Sequence, residues 1–490
     1  MNLLTVSRRV LPTLLLAALL SACATRTRRS TLGNAWQATE PQMDMGRYEN
    51  VQKRPGQRGD IAVAVAISGG GMRAANFAAG VLQALEKIPV KGADGGVSNL
   101  LREVDYFSTA SGGGLAAVSY VLHLAEYQQR HPEDPMAKEF RFGPKREGDS
   151  MEDPSGRNWR DALSRNYQAS MIRALFNPIM MGSMNRGDVL ERRLDDNVVG
   201  EINGRTPTLG DIFVPRGQTP RLPYWVANAT VFENGAIFPF TPDILEKYGI
   251  TGYWHRETYR DLPAGGAAEL PLSVGLKASA SFPVAIPPSN LKSCIDKENS
   301  SLHLMDGGVA DNLGVITATR LLNQDPARKK VLIVIDAYNG TTEPFSKGGV
   351  APGIMSSALR TASISLDSAH QRVDNLLSLV ATTSGVKVAV VDFHRALREQ
   401  AEEKERIEAA GGEVSGRASR FVAKKDRTSP QSIDALFTQV LGMGTWFKIK
   451  KEDQETLLKA GENAVYRQRG ENTNAEPQLL RELEAITGLF

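Results

Sequence analysis

Two side chains and one run of glycines in this sequence have the types and settings that acyl transfer needs. Ser111 ends the stretch Val104-Asp105-Tyr106-Phe107-Ser108-Thr109-Ala110 and is followed by Gly112-Gly113-Gly114, then Leu115-Ala116. A serine where a strand turns sharply into a helix carries an exposed hydroxyl beside backbone amides and the positive end of a helix dipole. That setting suits a nucleophile. Gly69, Gly70 and Gly71 open a second helix after a strand and offer bare amides that could hold an oxyanion. Asp306, followed by Gly307-Gly308, supplies a carboxylate that could act as base. Nucleophile, base and amide donors are together the parts of an acyl-transfer site.

Each feature also has a plainer reading. Ser111 could simply cap its helix. Gly69, Gly71 and Ala74 fit the G-x-G-x-x-G/A pattern of a dinucleotide loop. That pattern wants an acidic residue ending the next strand, whereas the candidate, Asp94, lies in the loop-like Lys91-Gly92-Ala93-Asp94-Gly95-Gly96. Asp311 is a second candidate base, but it precedes a helix and is well placed to cap it. Arg73 reads as a helix-start or packing arginine rather than a phosphate contact.

The elements that must position these groups follow from apolar patterning. Ile61–Ile67, Val104–Ala110 and Val331–Ile335 are short continuous apolar runs, as expected of strands buried on both faces in a parallel sheet. Phe77, Val81, Leu82 and Leu85 mark a helix after the first run. Trp225–Thr230 and Ala236–Phe240 flank Glu233-Asn234-Gly235 as a hairpin, and a helix is expected over Leu272–Ser281. Leu302–Met305 reads as a short strand leading to Asp306-Gly307-Gly308-Val309-Ala310-Asp311-Asn312-Leu313-Gly314, with a helix from there to about Leu322, and Val386–Phe393 as one more strand. Met171, Ile172, Leu175, Phe176, Ile179, Met180, Met181 and Met184 form an apolar segment broken by Pro178, which suits core packing or an adaptable wall for an acyl chain. Beyond about Arg395, Glu399–Ala409, Ser432–Leu441 and Lys451–Gln468 look helical.

With these motifs in this order, the chain resembles the patatin-like phospholipases over about Ile61 to Asp336. Gly69-Gly70-Gly71-Met72-Arg73 is similar to that family's oxyanion loop, Thr109-Ala110-Ser111-Gly112-Gly113 to its G-x-S-x-G elbow, and Asp306-Gly307-Gly308 to its aspartate motif. Ala278-Ser279-Ala280-Ser281-Phe282-Pro283 resembles a further block. Thr109 departs from the pattern, standing where the elbow usually has its first glycine. The resemblance implies a three-layer α/β/α fold with a mostly parallel central sheet, plus a C-terminal helical region. It implies hydrolysis of lipid acyl esters by a Ser111–Asp306 dyad without histidine, through an acyl-serine, with Gly69, Gly70 and Gly71 as the oxyanion hole. The rival readings are a non-catalytic envelope scaffold that retains the fold and an esterase acting on soluble esters. No cluster of His, Cys or paired carboxylates has ligand spacing, so no metal or other cofactor is expected.

Composition agrees with a globular chain: 490 residues, 41% hydrophobic and 23% charged, with a formal charge of +3 that gives no reason to expect a nucleic-acid partner. The two cysteines, Cys23 and Cys294, propose no disulfide framework. Arg8 and Arg9, the apolar run Val10–Leu20 and Leu20-Ser21-Ala22-Cys23 have the layout of a signal sequence. Its end resembles the lipobox of bacterial lipoproteins, which makes Cys23 a lipid anchor; Ala24 after it leans towards the outer membrane of the cell envelope. The expected organisation is a leader over 1–22, a tether over 23–58, a hydrolase domain over 59–395 and a C-terminal helical extension over 396–490. The expected partners are a membrane lipid or acyl-ester substrate, and the membrane itself through the anchor. Labelled palmitate should be incorporated into the wild-type chain and should not enter a Cys23→Ala variant; incorporation into the variant would refute the anchor.

Overall fold

The computed structural model describes residues 53–143, 159–167, 186–214, 218–255, 258–283, 285–294, 300–338, 384–392 and 448–465, with residue 169 and scattered positions from 361 to 380. The expected leader with Cys23, most of the expected tether, the Met-rich segment and the expected helices at Glu399–Ala409 and Ser432–Leu441 lie outside these residues.

The apolar runs form the centre of one sheet, ten-stranded among the described residues. Strands β1 (Ile61–Ile67), β4 (Val104–Ala110), β5 (Tyr224–Val231), β11 (Lys329–Asp336) and β12 (Val386–Asp392) lie in the order β12-β11-β1-β4-β5 and pair in parallel. Every residue of β1, β4 and β5 is buried, which is why these stretches show no polar alternation. The small strands β2 (Pro89–Lys91) and β3 (Val97–Asn99) form a separate hairpin, and β6 (Ile237–Pro239) folds back on β5. Asp94 sits in the β2–β3 turn, bonded to the Gly96 amide and Lys138, and not at a strand end as a dinucleotide site requires.

Beyond β5 the sheet changes character. Strands β7 (Ile250–His255), β8 (Thr258–Asp261), β9 (Ser289–Ser293) and β10 (Ser300–Asp306) extend it as an antiparallel wing, with β10 beside β5. β10 alternates buried and part-exposed residues, the pattern of a strand covered on one face. The strand carrying Asp306 therefore runs against the parallel block.

Helices α1 (Gly71–Glu86) and α2 (Gly113–Arg130) follow β1 and β4 and pack on each other. Helices α3 (Trp159–Ser164), α4 (Arg186–Leu194) and α5 (Leu272–Ser279) come next, and α5 lies against β5 and β10. After Asp306 come α6 (Gly308–Asp311) and, past the left-handed Gly314, α7 (Val315–Gln324), where a helix to about Leu322 is expected. Strands step one way from β1 to β4 to β5, whereas α7 leads back to β11 on the other side of β1. Helix α7 packs on β1, β4 and β11, and helices flank the sheet as its outer layers.

Two long-range contacts close the fold. Lys53 and Arg54, expected in the tether, are fixed at the start of β4: Lys53 Nζ lies 3.0 Å from Asp105 and 3.2 Å from Asp325, and Arg54 donates to the Arg102 carbonyl. These buried carboxylates draw a cation from residues before 59, which pack against the sheet. At the other end, α8 (Lys451–Val465), from the expected C-terminal extension, packs tightly on α1. The two helices cross backbone to backbone: a Cβ at Gly80 would come within 2.1 Å of the Leu458 carbonyl oxygen, and one at Gly461 within 2.2 Å of that of Phe77. Gly80→Val must therefore push α8 away, at a cost of about 1–3 kcal/mol, the usual range for overpacking. A lowered urea midpoint would show it; an unchanged midpoint would mean that this crossing does not form.

Candidate active site

Register brings the chemical groups to one level. Ile67 pairs with Thr109 and Ala110 with Asn228, so Gly69 and Ser111 stand just beyond the ends of β1 and β4. Asp306 pairs with Ala229 from the far side of β5. Because β10 approaches from beyond the C-terminal edge, its last residue reaches the same crest as Ser111.

Ser111 has φ of 50°, a left-handed conformation that is uncommon for a residue with a Cβ and typical of a strained functional turn. Its amide donates to Ser279 Oγ at 2.9 Å. The glycines beside it are needed for space. A Cβ at Gly112 would lie 2.0 Å from the Gly71 carbonyl oxygen, and one at Gly113 would lie 2.5 Å from that of Ser68. Thr109, the departure from the elbow pattern, is accommodated because it still lies within the extended β4, one residue before its end. Its hydroxyl donates to the Val226 carbonyl (3.3 Å) and accepts from Trp225 Nε1 (3.0 Å), so its polar atom is satisfied in the core.

Asp306 is buried, and its Oδ1 accepts the Gly308 amide at 2.8 Å. Burial pushes its carboxyl up to about 6, while the Ser111 hydroxyl, within hydrogen-bonding reach, and the Gly308 amide favour the ionised form. The backbone around it is held by the Ala278–Pro283 block: the Asp306 amide donates to the Ser281 carbonyl (2.9 Å) and the Gly307 amide to that of Ser279 (3.2 Å). One loop thus ties down both the elbow and the aspartate. Among the described residues no histidine is hydrogen bonded to Ser111 or Asp306.

Asp311 is also buried, with its carboxyl pushed up to about 6, but its oxygens are already occupied. They accept the amides of Leu313 (3.2 Å), Gly314 (2.9 Å) and Ile316 (2.8 Å), which tie α6 to the start of α7. The capping role expected for Asp311 is thus what the geometry shows.

The glycine loop is less uniform than its sequence. The Gly69 amide donates to the Asn312 carbonyl at 2.9 Å, so it shapes the loop and is not free for an oxyanion. Gly70, with φ of 145°, and Gly71, the first residue of α1, keep amides without a hydrogen-bond acceptor among the described residues. Arg73 is buried behind the loop, donating from Nε to the Ala337 carbonyl at 3.1 Å beside Asp336. It packs the loop from within, as its sequence setting suggests.

A group that spacing did not reveal lies elsewhere. Glu191, Asp195 and His255 bring their ligand atoms within 4.8 Å of one another, all buried. Glu191 is already ion-paired with Lys277 and His255. Glu191 and Asp195 are one helical turn apart, the only local signal of this group; His255 belongs to a distant strand.

Residues 65–319, more than half of the chain, match the family model described as patatin-like phospholipase, and the protein belongs to that family. A comparison with curated protein sequences finds no match. Among solved structures the chain is similar to human GIVD cytosolic phospholipase A2 (13% identity, 92% of this chain and 61% of that one, TM-score 0.36). It is similar to the same enzyme in complex with methyl gamma-linolenyl fluorophosphonate and terbium chloride (14%, 97% and 63%, 0.36). VipD from Legionella pneumophila is a further match (11%, 83% and 68%, 0.24). The chain spans about three fifths of the length of the human enzyme's structures.

Burial of Asp306 has a consequence for stability. Its carboxyl ionises near 3.8 in an unfolded chain and near 6 when folded, so its contribution is full below about 3.8 and declines as pH rises to about 6. Asparagine does not titrate. Asp306→Asn should therefore melt with the wild type near pH 4 and gain on it by up to about 3 kcal/mol at neutral pH. A difference that stays constant with pH would contradict the buried, raised carboxyl. Asp311→Ala, which leaves amides without an acceptor, should instead cost about 2 kcal/mol or more.

Proposed function

We propose that the protein is a serine hydrolase of lipid acyl esters, with Ser111 as nucleophile and Asp306 as its base. The observation that carries this reading is the approach of Asp306 to the strained Ser111, with the unfilled amides of Gly70 and Gly71 at the adjacent helix start. Membership of the patatin-like phospholipase family supports the choice of a lipid ester as substrate.

Asp306 takes the Ser111 proton as Oγ attacks the acyl carbonyl carbon. The carbonyl oxygen becomes an oxyanion, for which Gly70 and Gly71 supply amides and α1 its dipole. The tetrahedral intermediate collapses, the alkoxide leaving group receives the proton held on Asp306, and an acyl-Ser111 ester remains. Water, deprotonated by Asp306, then attacks that ester and releases the fatty acid, returning the proton to Ser111. A carboxylate at its ordinary value is a weak base for a serine hydroxyl; raising it to about 6 by burial improves the match while leaving it ionised at neutral pH.

Cys23 anchors the enzyme at a bacterial envelope membrane in this reading, a role that rests on the Leu20-Ser21-Ala22-Cys23 motif. Turnover of a chromogenic medium-chain ester by the protein tests the chemistry. Ser111→Ala and Asp306→Asn should each lose at least about 10³ in kcat while remaining folded. Wild-type kcat should fall as pH drops below about 6, where Asp306 takes up a proton. Normal turnover by Asp306→Asn would show that another group is the base.

A further inference from the structure

The block that ties down both reactive groups is itself held by charge. Helix α5 carries Lys277, and Ser279 and Ser281 follow within its last turn and just beyond. Lys277 is 3% exposed and its ammonium is ion-paired with Glu191 of α4, which has no exposed surface at all. The second oxygen of Glu191 pairs with His255 at the end of β7, and Lys277 Nζ also approaches the Trp254 carbonyl at 3.4 Å. Trp254 Nε1 donates to Asp188, one turn before Glu191, at 2.9 Å. Helix α4, helix α5 and strand β7 are thus joined through one buried carboxylate. Burial pushes the Glu191 carboxyl up, but Lys277 and His255 outweigh this and hold it below the ordinary carboxylate range.

Such a pair is an expensive way to fill a core. Apolar side chains of similar volume often serve stability as well or better, whereas an ion pair fixes where two elements meet along their lengths. What is fixed here leads directly to the site. From Lys277 the connection runs through the Ser281 hydroxyl, which donates to the Lys277 carbonyl at 2.8 Å, to the Ser281 carbonyl that accepts the Asp306 amide. On the same helix end, Ser279 Oγ accepts the Ser111 amide. A shift of α5 along its axis would move both reactive residues relative to each other.

We propose that Glu191 and Lys277 are positioning residues for the Ser111–Asp306 site, their buried ion pair with His255 setting the axial position of α5 and thereby the elbow and the aspartate. The proposal rests on the hydrolase reading above and adds residues that touch no substrate. The same carboxylates could be drawn as a metal site, but the Lys277 ammonium already stands against Glu191, so a metal ion would have to displace it.

The test compares the full-length wild type with Lys277→Met, Lys277→Arg and the paired variant Glu191→Leu with Lys277→Met. The paired variant leaves neither partner charged and alone, so it avoids the main reason for a single variant to misfold. Three quantities are read: melting temperature, kcat and KM on the chromogenic ester, and the rate at which an alkyl fluorophosphonate labels Ser111. The paired variant should melt at or above the wild type, yet lose about 10–100-fold in kcat and in labelling rate with KM within about twofold. Lys277→Arg, which keeps the charge, should recover most of the rate lost in Lys277→Met. A folded paired variant with wild-type kcat and labelling rate overturns the proposal. So does an equal loss in Lys277→Arg and Lys277→Met, or a stoichiometric metal ion in the wild type that Glu191→Gln loses. A wild type that neither takes the label nor turns over ester defeats the hydrolase reading itself, and the positioning role with it.

Discussion

The site depends on how closely two backbones approach. The elbow after β4 and the glycine loop after β1 touch with no room for a side chain: at Gly112 a Cβ would sit 2.0 Å from the Gly71 carbonyl oxygen. That contact sets Ser111 beside the N-terminus of α1, and it is possible only because position 112 carries no Cβ. The cost appears at Ser111, whose positive φ is held by its amide bond to Ser279 and by the turn that follows. Everything else in the crest serves to keep that approach in place. Asn312 takes the Gly69 amide, Arg73 packs the loop from behind, and α8 presses on the helix that presents the loop.

Charge is used in three different ways around this frame. Asp306 is buried with one amide and the Ser111 hydroxyl, which leaves it ionisable near 6. Asp311, equally buried, spends its oxygens on several amides and acts as a staple between helices. Glu191 is bonded to a lysine and a histidine and joins α4 and β7 to α5, the helix whose end reaches the crest. Three buried carboxylates thus differ in role because they differ in what fills their lone pairs.

Much of this was legible in the sequence, for physical reasons that also mark its limits. β1, β4 and β11 announce themselves because strands buried on both faces must be apolar throughout. The elbow and loop are visible because only glycine permits their contacts. The direction of β10 was not legible: a seven-residue run reads the same whether its neighbour is parallel or antiparallel, and only the register with Ala229 shows how Asp306 reaches the crest. Gly69, Gly70 and Gly71 look alike in sequence, yet the first amide is taken by a carbonyl more than two hundred residues away. Thr109 looked like a flaw in the elbow until Trp225 and Val226 supplied partners for its hydroxyl. The Glu191–Lys277 pair gave no signal, since its members come from segments with no common motif. Lys451–Val465 could be read as a helix, but its seat on α1 depends on a fit between Gly80 and Gly461 that no local pattern shows.

The central claim is that an acyl group passes through Ser111. The most direct measurement is an acid-quenched reaction with excess chromogenic ester, followed by intact-mass and peptide-mass analysis. The account predicts an added acyl mass on the peptide that contains Ser111, absent from Ser111→Ala. Turnover of the ester with the acyl mass on any other residue, or undiminished turnover by Ser111→Ala, would contradict it.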